Sequence, residues 1–316
     1  MLSRPRSKFD KRTLWPWKWW MTIGIGVLAS SDEGRSRSVI PDHLILVSDT
    51  MGSFGDEYSH PRLHKRFDLG DNKAYILAAG SIDKAAELVP AIDRALSAVP
   101  PDKRTYGDIL QAVSMSCFRY KMERFIREVH PKHGIPPETY DPFKASKDVL
   151  EILDPEWRAF EVGVDLLVGA FSHTGQAHLI VASGDKGTAD GVGLPGFSAI
   201  GSGFPNAMYW LSHRAHTLGM KPLRALYHAY EAKIMAEDTP TVNDHIDILV
   251  ANASGKWWFS SHFKQEALSA MQLPDIPTVS LREMFKEYGP QPTDKLDEAE
   301  VELIKRSGAR TSAGQR

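Results

Sequence analysis

Cysteine, net charge and long apolar runs are nearly absent from this chain. Its 316 residues include 1 cysteine, Cys117, which excludes an intrachain disulfide and a zinc site built on cysteines. The formal net charge of -2 gives the chain no general attraction to nucleic acid. Because no segment holds an apolar run long enough to cross a bilayer, we expect no transmembrane segment. These features favour a cytoplasmic protein.

Metal and nucleotide motifs are missing as well. The 12 histidines include no HExxH pair or comparable ligand spacing, and the glycines around residues 48–55 do not form a P-loop. We therefore expect neither a metal nor a cofactor. The hydrophobic fraction of 42% and the charged fraction of 25% are near the average for globular domains, so a chain of this length can bury a sizeable core.

The N-terminal segment differs in composition from the rest of the chain. Residues 1–21 contain six Lys or Arg side chains and half of the 8 tryptophans, without the apolar stretch of a signal peptide. We predict that they form a basic, Trp-rich leader or lie upstream of the true start. A polar extension is predicted at 266–316. One domain would then occupy residues 22–265, with an insertion at about 130–160 rich in proline and charge.

Hydrophobic periodicity divides this domain into alternating groups of strands and helices. Strands are predicted at 22–28, 43–49, 62–69, 73–79, 162–171, 177–184, 197–201, 245–251 and 256–261, and helices at 83–99, 106–129, 206–218 and 222–237. A tight turn is predicted at 70–72, and Pro90 predicts a kink or break in the first helix. Because groups of strands separated by pairs of helices do not suit a βαβ alternation, we predict an α+β fold of two packed antiparallel sheets flanked by helix pairs.

Five residues of chemical interest lie at the ends of the predicted elements. Thr22 opens the first strand, Asp49 ends the second, and Lys65 follows sixteen residues after Asp49. Gly80 closes the next strand in LAAGSIDKA, and Ser202 lies between a strand and a helix in AIGSGFPNA. Taken singly, each has an ordinary structural role, such as a strand threonine, a surface ion pair or a turn residue.

This set of spacings resembles the proteasome β-type family of N-terminal-nucleophile hydrolases, over roughly residues 22–261. VDLLVGAF and HLIVASGDKG also resemble the central hairpin of that family. One match is a weak signal, whereas five in the correct order on matching elements are considerably stronger. The resemblance implies a four-layer αββα sandwich and a divergent bacterial-type member.

A threonine-type endopeptidase with Thr22 as its nucleophile is the activity that the resemblance implies. The α-amine of Thr22 would be the general base, which requires cleavage or initiation between Met21 and Thr22, because an amide nitrogen cannot accept the proton. Lys65 would hold a positive charge beside the hydroxyl, and Asp49 would pair with Lys65 and fix its position.

Further roles follow from the same resemblance. Gly80 would supply the backbone N–H of an oxyanion hole, and Ser202 would hydrogen-bond the amine of the nucleophile. Asp238 would hold the same amine or Ser202, since its spacing to Thr241 resembles the family's Asp-x-x-Ser, with Asp244 as a competing acid. The chain departs from the family in opening with Thr-Ile rather than Thr-Thr. It also has Thr-Val-Asn where the family has Ser-Gly-Gly after the acid.

The resemblance also implies partners. Family members form homo-oligomeric rings that enclose the active sites, act on polypeptides and work with an ATP-dependent unfoldase. Two alternatives stay open from the residues. The chain is a catalytically silent ring or scaffold subunit if the leader stays attached, or an amidohydrolase of a small amide if the nucleophile is free but no closed ring forms.

Overall fold

The computed structural model describes residues 22–31, 39–49, 52–54, 58–60, 65–136, 147–239 and 241–259. Within these ranges the strands are β1 (Ile23–Ala29), β2 (His43–Ser48), β3 (Gly52–Phe54), β4 (Tyr58–His60), β5 (Arg66–Leu69), β6 (Ala74–Gly80), β7 (Val164–Phe171), β8 (Ala177–Ser183), β9 (Thr188–Gly191), β10 (Phe197–Gly201), β11 (Asp247–Asn252) and β12 (Gly255–Phe259). The α-helices there are α1 (Ile82–Ser97), α2 (Tyr106–Glu128), α3 (Lys147–Ala159), α4 (Phe204–His213) and α5 (Pro222–Ala236). The predicted leader at 1–21 and extension at 266–316 lie outside the described residues.

Ten of these strands form two five-stranded antiparallel sheets. The first sheet has the order β10-β1-β2-β11-β12, and the second has the order β5-β6-β7-β8-β9. β3 and β4 pair separately as a short hairpin. All residues of β1, β2 and β11 are buried, which shows that the centre of the first sheet is covered on both faces.

Buried apolar side chains form three layers that alternate with the two sheets. One layer lies between the sheets and includes Leu44, Leu77 and Leu167. A second lies between the first sheet and the pair α4–α5, and the third lies between the second sheet and the pair α1–α2. The predicted four-layer αββα sandwich is therefore confirmed.

Glycines at facing positions let the two sheets approach closely. On β1, Ile23 and Ile25 face the helices, so the alternation of a strand turns Gly26 toward the second sheet. A Cβ atom on Gly26 would lie 2.7 Å from Leu179 Cδ1, and one on Gly169 would overlap the side chain of Leu44. The layer between the sheets is therefore packed to a thickness that excludes even an added methyl group at these positions.

Local sequence signals start the helices where expected. Thr105 and Asp108 form a capping box at the start of α2, in which each side chain accepts a backbone N–H of the other's residue. Ser81 caps α1 by accepting the Lys84 N–H at 3.4 Å, and Pro222 occupies the first position of α5. α1 runs through Pro90 without a break, and this residue lies on the exposed side of the helix.

Several elements differ from their predicted form. β9 was not predicted because its residues are mostly exposed and show no apolar alternation. The turn at 70–72 is a single 3-10 turn that ends at Lys73, whose φ is 47°. α4 ends at His213 instead of 218, because Ala215 has a φ of 49° and cannot continue the helix. Among the described residues, no helix is long and apolar enough to cross a membrane.

Candidate active site

Pairing of β1 with β2 brings Thr22 and Asp49 to the same end of the first sheet. Gly24 lies opposite Ser48 in the antiparallel register, so the residue before β1 and the residue after β2 are neighbours. Asp49 N donates to Ile23 O at 3.3 Å, and Ile23 N donates to Asp49 Oδ1 at 3.2 Å. These two hydrogen bonds, one to the backbone and one to the side chain of Asp49, fix the aspartate beside the threonine.

A lysine completes a compact polar cluster at this end of the sheet. Thr22 Oγ1 donates to Asp49 Oδ1 at 2.7 Å, and Lys65 Nζ donates to Asp49 Oδ1 at 2.8 Å and also to Thr22 Oγ1. The exposed fractions are 2% for Thr22, 0% for Asp49 and 4% for Lys65. Hydroxyl, carboxylate and ammonium therefore contact one another in a region from which water is largely excluded.

Lys65 reaches this cluster from the other sheet. It directly precedes β5, and its carbonyl oxygen accepts the Ala78 N–H at 2.9 Å, which attaches it to β6. Burial lowers the pKa of Lys65, and the charge of Lys233 adds to this effect, while the charge of Asp49 and its hydrogen bond oppose it. The site thus holds a lysine whose proton is bound less tightly than in an exposed lysine.

The nitrogen of Thr22 faces a serine from the turn after β10. Thr22 N donates to Ser202 Oγ at 3.3 Å, and Ser202 Oγ donates to Thr22 O at 3.2 Å. Gly203 N donates to the same oxygen at 3.3 Å. Gly201 has a φ of 90°, and a side chain there would overlap Thr22 O, so glycine is required for this close approach.

Gly80 ends β6 at the same end of the sandwich. It has a φ of 91° and precedes Ser81, the residue that caps α1. Ala78, two residues earlier on the same strand, is hydrogen-bonded to Lys65, so Gly80 lies beyond the point at which β6 meets the cluster. Its role as an oxyanion donor stays a prediction.

The segment after α5 contributes Thr241 rather than Asp238. Thr241 Oγ1 and Ser202 Oγ are 2.6 Å apart. Asp238 and Asp244 are both exposed, and within the described residues no hydrogen bond joins the Asp238 carboxylate to Thr22 or Ser202. Of the six predicted site residues, Thr22 contacts Asp49, Lys65 and Ser202. Thr241 joins this group through Ser202.

Sequence inspection missed one buried charge near this site, Lys233 on α5. It is 0% exposed and pairs with Glu237 at 2.6 Å. A signal was present, because Lys233 lies one helical turn after Ala229 and one turn before Glu237, on the apolar side of the helix. In the described ranges, no group of three or more His, Cys, Asp or Glu side chains could hold a metal ion.

Comparison with known proteins shows a remote likeness among solved structures. No family model matches the chain, and no curated protein matches its sequence. Among solved structures the chain is similar to HslV from Trypanosoma brucei, with 17% sequence identity and a TM-score of 0.44. The match covers 73% of this chain and 99% of that chain.

Proposed function

We propose that this chain is a threonine-type peptidase whose nucleophile is Thr22, released as the N-terminal residue by cleavage after Met21. The observation that carries the proposal is the contact of one hydroxyl, Thr22 Oγ1, with both Lys65 Nζ and Asp49 Oδ1 inside a buried cluster. The sequence motifs that resemble the proteasome β-type family support the same assignment.

The proposed reaction is acyl transfer through an ester of Thr22. After cleavage, the free amine accepts the proton of Oγ1 while Oγ1 attacks the carbonyl carbon of the peptide bond. The tetrahedral intermediate collapses, the amine of Thr22 gives its proton to the leaving nitrogen, and an ester remains. Water then attacks the ester with the same amine as base, which releases the product acid and restores the hydroxyl.

The neighbouring side chains stabilise charge during these steps. The ammonium of Lys65 favours the developing alkoxide of Thr22, and Asp49 holds that ammonium in place. Ser202 Oγ faces the nitrogen that becomes the base, so it orients the amine and its proton. The Gly80 N–H is the proposed donor to the oxyanion of the intermediate.

We further propose polypeptide substrates, a homo-oligomeric ring and an ATP-dependent unfoldase as partner. These assignments follow from the resemblance of the motifs to the proteasome β-type family. A silent ring subunit and a hydrolase of small amides are the two alternatives. Native mass spectrometry, together with turnover of an unfolded polypeptide and of a short amide, distinguishes all three.

The first test is the intact mass of the purified full chain, followed by reaction with a β-lactone. The expected mass corresponds to a chain that begins at Thr22, and the lactone adds once, on the Thr22 hydroxyl. Thr22→Ala should lose labelling and peptide hydrolysis completely, because no hydroxyl remains. The matched variant Thr22→Ser, which keeps the hydroxyl, should retain labelling.

Two outcomes would contradict the proposal. A chain that keeps Met21 and resists the lactone would leave Thr22 as an internal residue and support the silent subunit. An adduct on another residue, unchanged in Thr22→Ala, would place the nucleophile elsewhere.

A further inference from the structure

A second buried lysine lies near the C-terminal end of α5. The ammonium of Lys233 donates to Glu237 Oε1 at 2.6 Å and to Asn243 O at 2.6 Å. Its exposed fraction is 0%, and its neighbours on the helix include the buried residues Tyr230 and Ala236. Burying a lysine this completely costs free energy of hydration, which hydrogen bonds such as these offset. The reaction steps above do not use this residue.

The end of α5 that carries Lys233 approaches Gly203 and Ile23, the residue after Thr22. A Cβ atom on Gly203 would lie 3.0 Å from Ala236 Cβ and 3.0 Å from Val242 Cγ2, and 3.2 Å from Ile23 Cδ1. The helix end, the following segment and the first residue of β1 therefore meet at Gly203. The positive charge of Lys233 also acts on Lys65, where it helps to lower the pKa.

Hydrogen bonds and a short stretch of backbone connect Lys233 to the nitrogen of Thr22. Lys233 holds the Asn243 carbonyl, two residues after Thr241, in the segment that joins α5 to β11. Thr241 Oγ1 is 2.6 Å from Ser202 Oγ, which accepts the Thr22 N–H at 3.3 Å. We infer that Lys233 is a positioning residue for the Thr22 centre, because it fixes the segment through which Thr241 orients Ser202. This inference deepens the proposed function and rests on it.

The charges around Lys233 indicate how its removal acts on the site. Glu237, which directly follows α5, forms an ion pair with Lys233. The charged pair of Lys65 and Asp49 lies in the direction of the two sheets. Asp238 and Asp244, in the following segment, are exposed. Since Lys233 disfavours further positive charge nearby, its loss should let the amine of Thr22 hold a proton more tightly.

The test compares Lys233→Met with Lys121→Met in the processed full chain. Lys121 is a matched control on α2, in the other helix pair. It is 4% exposed and, like Lys233, donates to a backbone carbonyl, here that of Asp185. β-Lactone labelling is measured against pH, and amide hydrogen exchange is measured in peptides covering 238–246. For Lys233→Met we expect labelling to slow about tenfold, the rising limb of its pH profile to move up by about 0.5 unit, and exchange in these peptides to quicken. Lys121→Met should change none of the three.

Glu237→Gln should shift the pH profile in the opposite direction from Lys233→Met. It removes the negative charge beside Lys233 and keeps an oxygen that can accept the hydrogen bond, so the rising limb should move to lower pH. This variant also carries the test if Lys233→Met does not fold.

Each outcome decides a separate point. Labelling, pH profile and exchange in Lys233→Met that all equal those of the parent would overturn the inference. Quicker exchange in Lys233→Met, combined with a parent chain that the lactone never labels, would refute the proposed chemistry. That result would still support the hold of Lys233 on the Thr241 segment.

Discussion

The two ends of the β1–β2 pair carry the same three kinds of group in different surroundings. At the end opposite Thr22, Ser31 N donates to Asp42 Oδ1 at 2.9 Å and Ser31 Oγ donates to Asp42 Oδ2. His43 Nδ1 lies 2.8 Å from Asp42 Oδ1. A hydroxyl, a carboxylate and a basic side chain therefore meet here, as Thr22, Asp49 and Lys65 do at the other end.

Burial and one contact separate the two clusters. Ser31 is exposed and the Asp42 side chain is 35% exposed, whereas Thr22, Asp49 and Lys65 are all below 5%. At the buried end, the basic side chain, Lys65, contacts both the carboxylate and the hydroxyl. Among the described contacts at the exposed end, the basic side chain, His43, contacts only the carboxylate.

The backbone nitrogens differ in the same way. Ser31 N donates to Asp42, 11 residues further along the chain, while Thr22 N donates to Ser202, 180 residues away. Both ends hold a hydroxyl, a carboxylate and a basic side chain. What distinguishes the candidate site at Thr22 from the cluster at Asp42 is therefore the arrangement of these groups.

The largest difference between the two ends is expected in the rate of β-lactone labelling when the carboxylate of Asp49 or of Asp42 is made neutral. Asp49→Asn keeps an oxygen for Thr22 and Ile23 but removes the charge that holds the ammonium of Lys65, so β-lactone labelling should fall about 100-fold. Asp42→Asn, at the other end of the same strands, should label within about twofold of the parent. Equal rates in the two variants would place the reactive centre somewhere other than Thr22.

A smaller effect, on stability, is expected at the exposed end. Burial alone would raise the pKa of Asp42, but hydrogen bonds from His43 and Ser31 outweigh it and lower the pKa to about 2 from 3.8. A depressed pKa contributes stability that is present above pH 3.8 and is lost as the pH falls toward 2. Because Asp42 is partly exposed, we expect Asp42→Asn to cost about 1 kcal/mol at pH 7. Urea unfolding should show this difference shrinking below pH 3.8; a difference that grows in acid would mean that the pairs do not stabilise the fold.

The smallest effect is expected at the exposed hydroxyl. Ser31→Ala removes one hydrogen bond to Asp42 in a solvent-exposed turn, so the free energy of unfolding should fall by about 0.5 kcal/mol. Its labelling rate should equal that of the parent, in contrast to Thr22→Ala. Slower labelling in Ser31→Ala would show that the two ends are coupled, contrary to the separation drawn above.

Much of the sandwich follows from local patterns in the sequence. Apolar runs such as HLILVS and VDLLVGAF predict buried strands wherever they lie, and the capping box at Thr105 predicts the start of α2. Strands with little apolar content escape such patterns. β9 is held by pairing with β8 and by the packing of α2, neither of which its own residues reveal.

The candidate site shows the same division. Thr22, Asp49, Lys65 and Ser202, which the family resemblance grouped as site residues, lie together because each is beside the end of a strand and the sheets bring these strand ends to one place. Their catalytic roles stay predictions. Asp238 was expected beside them, but its segment turns the side chain outward and presents Thr241 instead. Spacing does not specify which side chain of an irregular segment points inward, since that depends on contacts such as Lys233 with Asn243.

Thr22 and Asp49 lie at the end of the first sheet, whereas Lys65 leads into the second. The distance between the two sheets therefore also sets the distances between these side chains in the candidate site. The distance between the sheets is set where Gly169 meets Leu44, a contact that leaves no space for one more carbon atom. Close-packed interiors have low compressibility, so the distance from hydroxyl to ammonium is held with the stiffness of the core. The volumes of leucine and glycine side chains in the middle of the sandwich thus set the distances between polar atoms at its edge.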